Sequence, residues 1–362
     1  MNKKRIVFVH LLNDFSGSPK VLSQVIRGVH SKHETGLFTA KSESGFLNNV
    51  ADYHQTYFYK RYENKILTLI SFLISQASLF FKIIAIRKSI DVVYINTMLP
   101  FGAALAGKLT GKEVIYHIHE TSIKPKALKV FLRKVIQISA SRLIYVSESL
   151  LKEENFSGIK QQVVYNALEE DFKLKSNKSI RADRLKDQFN VLMLCSLKVY
   201  KGVEEFVDVA KKCDSHSISF TLVLNAEMNE IRNYFSGREL PSNIILKSKQ
   251  SDVHPFYAKA DLVLNLSRPD EWVETFGLTI IEAMTYGIPV IVPPVGGPAE
   301  IVRDGVEGYL ISSYNVSKIS NRIIELSEDY ELYKKLSENA LQRSLRFNED
   351  TFHKEILEVI ND

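Results

Sequence analysis

Short apolar runs rich in Val, Ile, Tyr and Phe recur along the chain, and between them lie longer stretches in which apolar residues return every three or four positions. The runs have the pattern of strands buried on both faces, the longer stretches that of amphipathic helices, and their alternation predicts parallel sheets covered by helices. The first half carries the strand candidates RIVFVHLL, TGLFTA, DVVYINT, EVIYHIH, RLIYVS and QQVVYN. The second half restarts the rhythm with FNVLMLCSL, ISFTLVLN, NIILKS, LVLNLS, PVIVPP and GYLIS. Two Rossmann-like domains are therefore expected, over 1–167 and 168–345, with a C-terminal helix over 346–362 packing back on the first. The polar segment Leu168 to Lys186 is the expected linker into the second domain. The opening MNKKRIVFVHLL has the basic start of a signal peptide, but its apolar run is short, contains His10 and lacks a small-residue cleavage site. It is expected to be a buried first strand.

One stretch departs from this plan. NKILTLISFLISQASLFFKIIAIRKSI, Asn64 to Ile90, has an uncharged core of 16 residues from Ile66 to Phe81, shorter than the ~20 that span a bilayer. Lys65, Lys82, Arg87 and Lys88 frame it, and KPKALKVFLRKVIQ from Lys124 is a second basic amphipathic helix. Two readings stay open: contact with an anionic membrane surface, or two helices that cover the first sheet and pack on each other.

Composition adds a charge asymmetry. At 45% apolar and 25% charged residues, the chain has material for sizeable cores. Up to Asn166 there are 23 Lys and Arg against 11 Asp and Glu, a net +12; beyond it there are 24 against 31, a net −7. A basic half suits phosphorylated or anionic partners. Nucleic acid is not expected, because no helix-turn-helix or aromatic-basic motif organises the charge. The two cysteines, Cys195 and Cys213, have neither zinc spacing nor a disulfide framework, which suits a reducing compartment.

The chemistry concentrates in EWVETFGLTIIEAMTYGIPVIVPPVGGPAEIV, Glu271 to Val302. A buried strand ends before it, a helix begins near Gly277, and Gly287 stops that helix. The loop then lies at the carboxyl edge of the sheet, where open α/β folds bind ligands. Gly277 allows close approach, and the N–H groups of Leu278 and Thr279 can face an anion. Glu274 precedes the helix and Glu282 lies inside it among apolar neighbours. Carboxylates accept paired hydroxyls, so each acid suits a sugar-like part of a ligand whose phosphates lie between. Pairing of the acid with the helix dipole is the plainer alternative.

Glu274 and Glu282, with FGLTIIEAM, GIPVI and GGPAEIV, resemble glycosyltransferase family 4, whose members are retaining glycosyltransferases with the GT-B fold. The resemblance implies an α/β chain of two Rossmann-like domains with parallel sheets facing a central cleft. It further implies a nucleotide-diphosphate sugar as co-substrate, held mainly by the second domain, and an acceptor held mainly by the first. Glu274 is implied to act at the donor sugar, Glu282 at the ribose, and Phe276, Gly277, Leu278 and Thr279 along the sugar and diphosphate. SLKVYKGVEEFVDVA resembles the family's basic phosphate-binding stretch and makes Lys201 the diphosphate lysine. Five residues earlier, where many members carry arginine, stands Ser196; Lys198 is either its substitute or a surface lysine.

In the first domain, Gly17 and Ser18 resemble the family's glycine turn near the donor phosphate. His119, followed by Glu120, resembles its sugar-contacting histidine, and His117, on the same strand face, reads as a core histidine. Arg268, Asp270, Glu271 and Trp272 either shape specificity or order the loop before Glu274.

No Asp-x-Asp sequence occurs, so neither a metal nor another cofactor is expected. The expected activity is metal-independent retaining transfer from a nucleotide sugar to a saccharide, lipid-linked or polysaccharide-precursor acceptor. It is expected in the cytoplasm, peripherally at the inner face of a membrane. Two other functions fit the same residues: a nucleotide-sugar epimerase, or a non-catalytic nucleotide-sugar-binding partner of another transferase.

Overall fold

The computed structural model describes residues 3–42, 44–178, 188–214 and 216–362. The chain divides into two compact units, Met1–Ala167 with Glu349–Asp362, and Leu168–Asn348.

The first unit contains β1 (Arg5–Val9), α1 (Gly17–His30), β2 (Glu34–Ala40), β3 (Tyr53–Tyr57), α2 (Lys65–Ile86), β4 (Val92–Asn96), α3 (Phe101–Leu109), β5 (Glu113–Ile118), α4 (Lys126–Ser139), β6 (Arg142–Tyr145), α5 (Glu148–Glu153) and β7 (Lys160–Val163). Its strands form one parallel sheet in the order β3-β2-β1-β4-β5-β6-β7. The MNKKRIVFVHLL segment thus supplies a central strand. Right-handed crossovers put α1 on one face and α2 to α5 on the other. Between these layers Phe8, Tyr94 and Tyr116 are fully buried. Each such ring contributes roughly 1.5–3 kcal/mol of burial.

The sequence pattern missed β3. Only Tyr57 of its five residues is buried, because the strand forms the sheet's edge and leaves the rest in water. The Tyr57 hydroxyl donates to the His10 carbonyl at 2.8 Å, so this edge is held by polar contact as well as by apolar burial.

The second unit begins with α6 (Glu170–Lys178), which occupies part of the expected linker; residues 179–186 of that segment lie outside the described residues. Then follow β8 (Phe189–Cys195), α7 (Val203–Lys212), β9 (Ile218–Leu224), α8 (Met228–Tyr234), β10 (Ile244–Lys247), α9 (His254–Lys259), β11 (Leu262–Leu264), α10 (Leu278–Thr285), β12 (Val290–Val292), α11 (Pro298–Ile301), β13 (Gly308–Leu310), α12 (Val316–Glu328) and α13 (Tyr330–Ser344). The six strands expected from the second half are all present, in the parallel order β10-β9-β8-β11-β12-β13. Helix α7 illustrates the periodicity: Val203, Phe206 and Ala210 face inward, with Phe206 edge-on to Phe220 at 5.6 Å. The chain then returns to the first unit as α14 (Glu349–Asn361), where His353 packs over Gly28 of α1 and its Nε2 lies 3.0 Å from the Gln24 carbonyl.

Helix α2 corrects two sequence-based arguments. With the short turn after it, it is long and apolar enough to cross a bilayer, so the 16-residue count understated its reach. Topology argues otherwise: β3 before it and β4 after it are parallel strands of one sheet, so α2 is a crossover helix lying along a face of that sheet. Nor do α2 and α4 chiefly pack on each other, for α3 packs between them. Phe72 of α2, Phe101 of α3 and Phe131 of α4 form an edge-to-face series with centroids 5.8 and 5.0 Å apart.

Candidate functional site

In each sheet the connections reverse direction at one point, between β1 and β4 in the first unit and between β8 and β11 in the second. The crevice at the carboxyl ends of such strands is where doubly wound sheets receive ligands.

In the second unit, the chain leaving β8 makes a short 3-10 turn over Val199–Lys201, and the chain leaving β11 runs through the loop to Glu274. There Lys201 and Glu274 form a half-buried ion pair. The Ser267 hydroxyl donates to the same carboxylate at 3.2 Å. The Lys201 ammonium lies 5.3 Å from the centre of the Trp272 ring, which stacks on Tyr200 at 5.0 Å. Lys201 is thus held between a carboxylate and an aromatic face. Beside this pair Cys195 is no candidate nucleophile, because burial pushes its thiol up to about 12. Lys198 stands exposed at the start of the turn, outside the pair, and its N–H donates to the Ser196 carbonyl at 2.8 Å.

The residues before Glu274 order its loop. Arg268 bonds Glu205 of α7 at 2.6 Å and Glu271 at 2.8 Å, while Asp270 accepts from the Tyr314 hydroxyl at 2.6 Å. From the other side, the Gly297 N–H donates to the Glu274 carbonyl at 2.9 Å. Gly277 has φ 123°, a conformation that glycine tolerates, and turns the chain into α10. Leu278 and Thr279 open that helix, where N–H groups have no carbonyl one turn back. The ring of Phe276, by contrast, is 3% exposed and packs edge-on against Phe347 at 5.8 Å. Its side chain packs in the core of the second unit.

The structure gives Glu282 partners different from those of Glu274. It lies buried in α10 and accepts from the Tyr257 hydroxyl at 2.8 Å. Tyr257 stacks on Tyr286 at 5.6 Å, and Phe172 of α6 lies tilted against His254 at 4.4 Å in the same wall. The expected linker therefore contributes a core residue beside Glu282.

In the first unit, Gly17 and Ser18 begin α1 just after β1, Asn96 ends β4, and His119 follows β5. The Asn96 Nδ2 donates to the Ser18 carbonyl at 3.2 Å, which turns its Oδ1 toward His119. His119 Nε2 lies 2.8 Å from that oxygen and must carry the proton. Burial holds His119 well below its ordinary pKa, and takes His10 to about 4 and His117 to about 3, so the three imidazoles are neutral. His117 is the core histidine: its Nδ1 lies 2.9 Å from the Tyr94 hydroxyl. Glu120 accepts from the Met98 N–H at 2.8 Å, and burial raises its carboxyl to about 7.

Asn96 and Tyr257 were missed by motif reading. Asn96 had a faint signal, as a polar residue ending an apolar strand next to one ending in histidine; Tyr257 had none. Among the described residues, no three His, Cys, Asp or Glu side chains gather as a metal-binding group.

Residues 176–343 match the family model described as glycosyl transferases group 1. N-acetyl-alpha-D-glucosaminyl L-malate synthase of Bacillus anthracis is 25% identical over 276 residues, 71% of this chain and 70% of that protein. Sucrose synthase 2 of Hordeum vulgare is 34% identical over 174 residues, 45% of this chain but only 19% of its own length. The crystal structure of Anabaena Alr3699/HepE in complex with UDP and glucose superposes with a TM-score of 0.81 at 21% identity, covering 99% of this chain and 100% of that one. With two parallel-sheet Rossmann-like units of the GT-B type, the chain is similar, over residues 176–343, to the group 1 glycosyl transferases.

Proposed function

We propose that the chain is a retaining, metal-independent hexosyltransferase of glycosyltransferase family 4. Its donor in this reading is a nucleoside diphosphate sugar, and its acceptor a saccharide or lipid-linked saccharide at the inner face of a membrane. The observation that carries the reading is the Lys201–Glu274 pair at the carboxyl ends of β8 and β11, beside the start of α10. The UDP and glucose of the Anabaena complex support a uridine donor.

Transfer breaks the bond between the anomeric carbon and the donor phosphate oxygen and forms one from that carbon to an acceptor hydroxyl. The acceptor proton passes to the leaving diphosphate. Negative charge therefore grows on phosphate, and a cation with aligned N–H dipoles is what stabilises it. Lys201 and the first turn of α10 supply both. Donor phosphate then competes with Glu274 for the ammonium, which releases the carboxylate toward the sugar. Glu282, held by Tyr257, takes the ribose hydroxyls. In the first unit, His119 is a neutral imidazole whose Nε2 proton is engaged by Asn96.

The test is release of nucleoside diphosphate from UDP-glucose and related donors in the presence of a chelator, with saccharide and lipid-linked acceptors. Lys201→Ala and Glu274→Gln should each lower turnover by about 10²-fold or more, and the product's anomeric configuration should match the donor's. Donor bound but never consumed would favour a non-catalytic partner, and donor interconverted without acceptor an epimerase; either outcome overturns the proposal, as would an inverted product.

A further inference from the structure

Helix α2 is built inside out. Its inward face carries Ser71, Ser75 and Gln76 beside Phe72, Leu79 and Ile83. The polar members of that face are all bonded: Ser71 accepts from the Lys60 N–H at 2.8 Å, Ser75 donates to the Phe72 carbonyl at 2.6 Å, and Gln76 accepts from the Gly102 N–H at 3.1 Å. Gly102 lets α3 approach closely, since a Cβ there would fall 2.0 Å from the Gln76 carbonyl oxygen. Small and polar residues thus share the contact with α3 with the Phe72 ring. Other large apolar residues point the opposite way: Ile66, Leu69, Ile70, Leu73 and Ile74, at three- and four-residue steps, and Phe81 two turns on, are each 48–68% exposed. On the same side of the sheet, Val130, Phe131 and Ile138 of α4 are also exposed.

A row of such residues facing water is unfavourable unless something covers it, and the charges around it decide what. Residues 64–90 and 124–139 contain nine Lys and Arg and no Asp or Glu. Lys129 and Arg133 are committed to the buried carboxylate of Glu154. Lys65, Arg87 and Lys88 flank the α2 row, and Lys124 just before α4 and Lys126 and Lys134 on it stand exposed. A second copy of this face would set like charges against like. A layer with an apolar interior and an anionic surface satisfies both features. Because β3 and β4 share one sheet, the helix lies along such a layer and does not cross it. We infer that the exposed face of α2, with the basic face of α4, seats the chain on an anionic lipid bilayer, α2 lying flat in the headgroup region.

This inference stands apart from the transfer reaction, and its test needs no acceptor. The full chain is floated with phosphatidylcholine vesicles, with and without phosphatidylglycerol, alongside the triple variant Ile70→Glu, Leu73→Glu, Ile74→Glu. A control, Leu341→Glu, alters an exposed apolar residue of the second unit. Thermal unfolding and UDP titration establish that each variant is folded and that the donor side is intact. The wild type and the control should float with the anionic vesicles and not with the neutral ones, with capture falling in high salt. The triple variant should lose at least about tenfold in vesicle partition while unfolding and UDP binding stay unchanged. Equal flotation of the triple variant, or a wild-type chain that ignores anionic vesicles, would overturn the proposal. A wild-type dimer in solution that the triple variant abolishes would overturn it in favour of a second copy.

Discussion

Replacing Gly297 with alanine adds a single methyl group behind the loop that carries Glu274. Gly297 has φ −57° and ψ −38°, so the backbone accepts alanine without strain. Space is the obstacle. A Cβ at this position falls 2.4 Å from the Phe276 Cα and 2.5 Å from the Thr275 carbonyl oxygen, against 3.4–4 Å for ordinary contact. These are backbone atoms, which cannot rotate aside, so the loop must retreat by about 1 Å. The Gly297 N–H also tethers the Glu274 carbonyl, and the displacement passes directly to the carboxylate that pairs with Lys201. Overpacking of this kind costs ~1–3 kcal/mol of stability. A 1 Å misplacement of a reacting group costs about 10²-fold in rate, equivalent to about 2.7 kcal/mol in the barrier. The assay is kcat/KM for nucleoside diphosphate release, read beside urea unfolding. Gly305→Ala is the comparison: it meets nothing within 4 Å but sits at φ 73°, so it should lose ~1–2 kcal/mol of stability and no activity. Wild-type kcat/KM in a folded Gly297→Ala protein would refute the link between this close approach and the position of Glu274.

Tyr257→Phe removes the hydroxyl that donates to the buried Glu282 carboxylate and should destabilise the chain by ~1.5–3 kcal/mol, measured by urea unfolding; it should also weaken UDP binding by titration, and unchanged values of both would remove Tyr257 from the site. Glu120 makes a prediction about pH. Its folded-state pKa of about 7 lies above the ordinary 4.5, so the folded chain keeps a proton that the unfolded chain has already lost. That stability is fully present below pH 4.5 and is lost as pH rises through about 7, by at most about 3 kcal/mol because Glu120 keeps some solvent contact. Urea midpoints on the two sides of this window should differ in the wild type and converge in Glu120→Gln; an unchanged slope in the variant would assign the effect to another group.

The two sheets were legible because burial on both faces leaves continuous apolar runs, a signal that survives without knowledge of the neighbours. Where a strand has only one buried residue, as β3 does, the signal vanishes although the hydrogen-bonded ladder is complete. Glu274 and Gly277 could be singled out because they sit at loop and helix boundaries whose spacing is written in the chain, and Lys201 because its stretch resembles a family's phosphate-binding segment. Their meeting could not be. Lys201 and Glu274 are 73 residues apart, and only the crossover order of β8 and β11 brings them together. Phe276 shows the same limit: in a motif a residue's neighbours along the chain are visible, but the Phe347 ring packed against it is not.

Helix α2 divides the two kinds of information most clearly. Residue order alone specified a long apolar helix framed by basic residues, because helix propensity and hydropathy are properties of neighbouring residues. Which side of that helix faces water shows only in the packed structure, where the close fit of Gly102 against Gln76 places Ser71, Ser75 and Gln76 inward beside Phe72, Leu79 and Ile83 and leaves a row of large apolar residues outside. Asn96 and Tyr257 follow the same rule. A hydrogen bond depends on direction and distance in space, and their partners, Ser18, His119 and Glu282, come within reach only when the sheets and helices have packed.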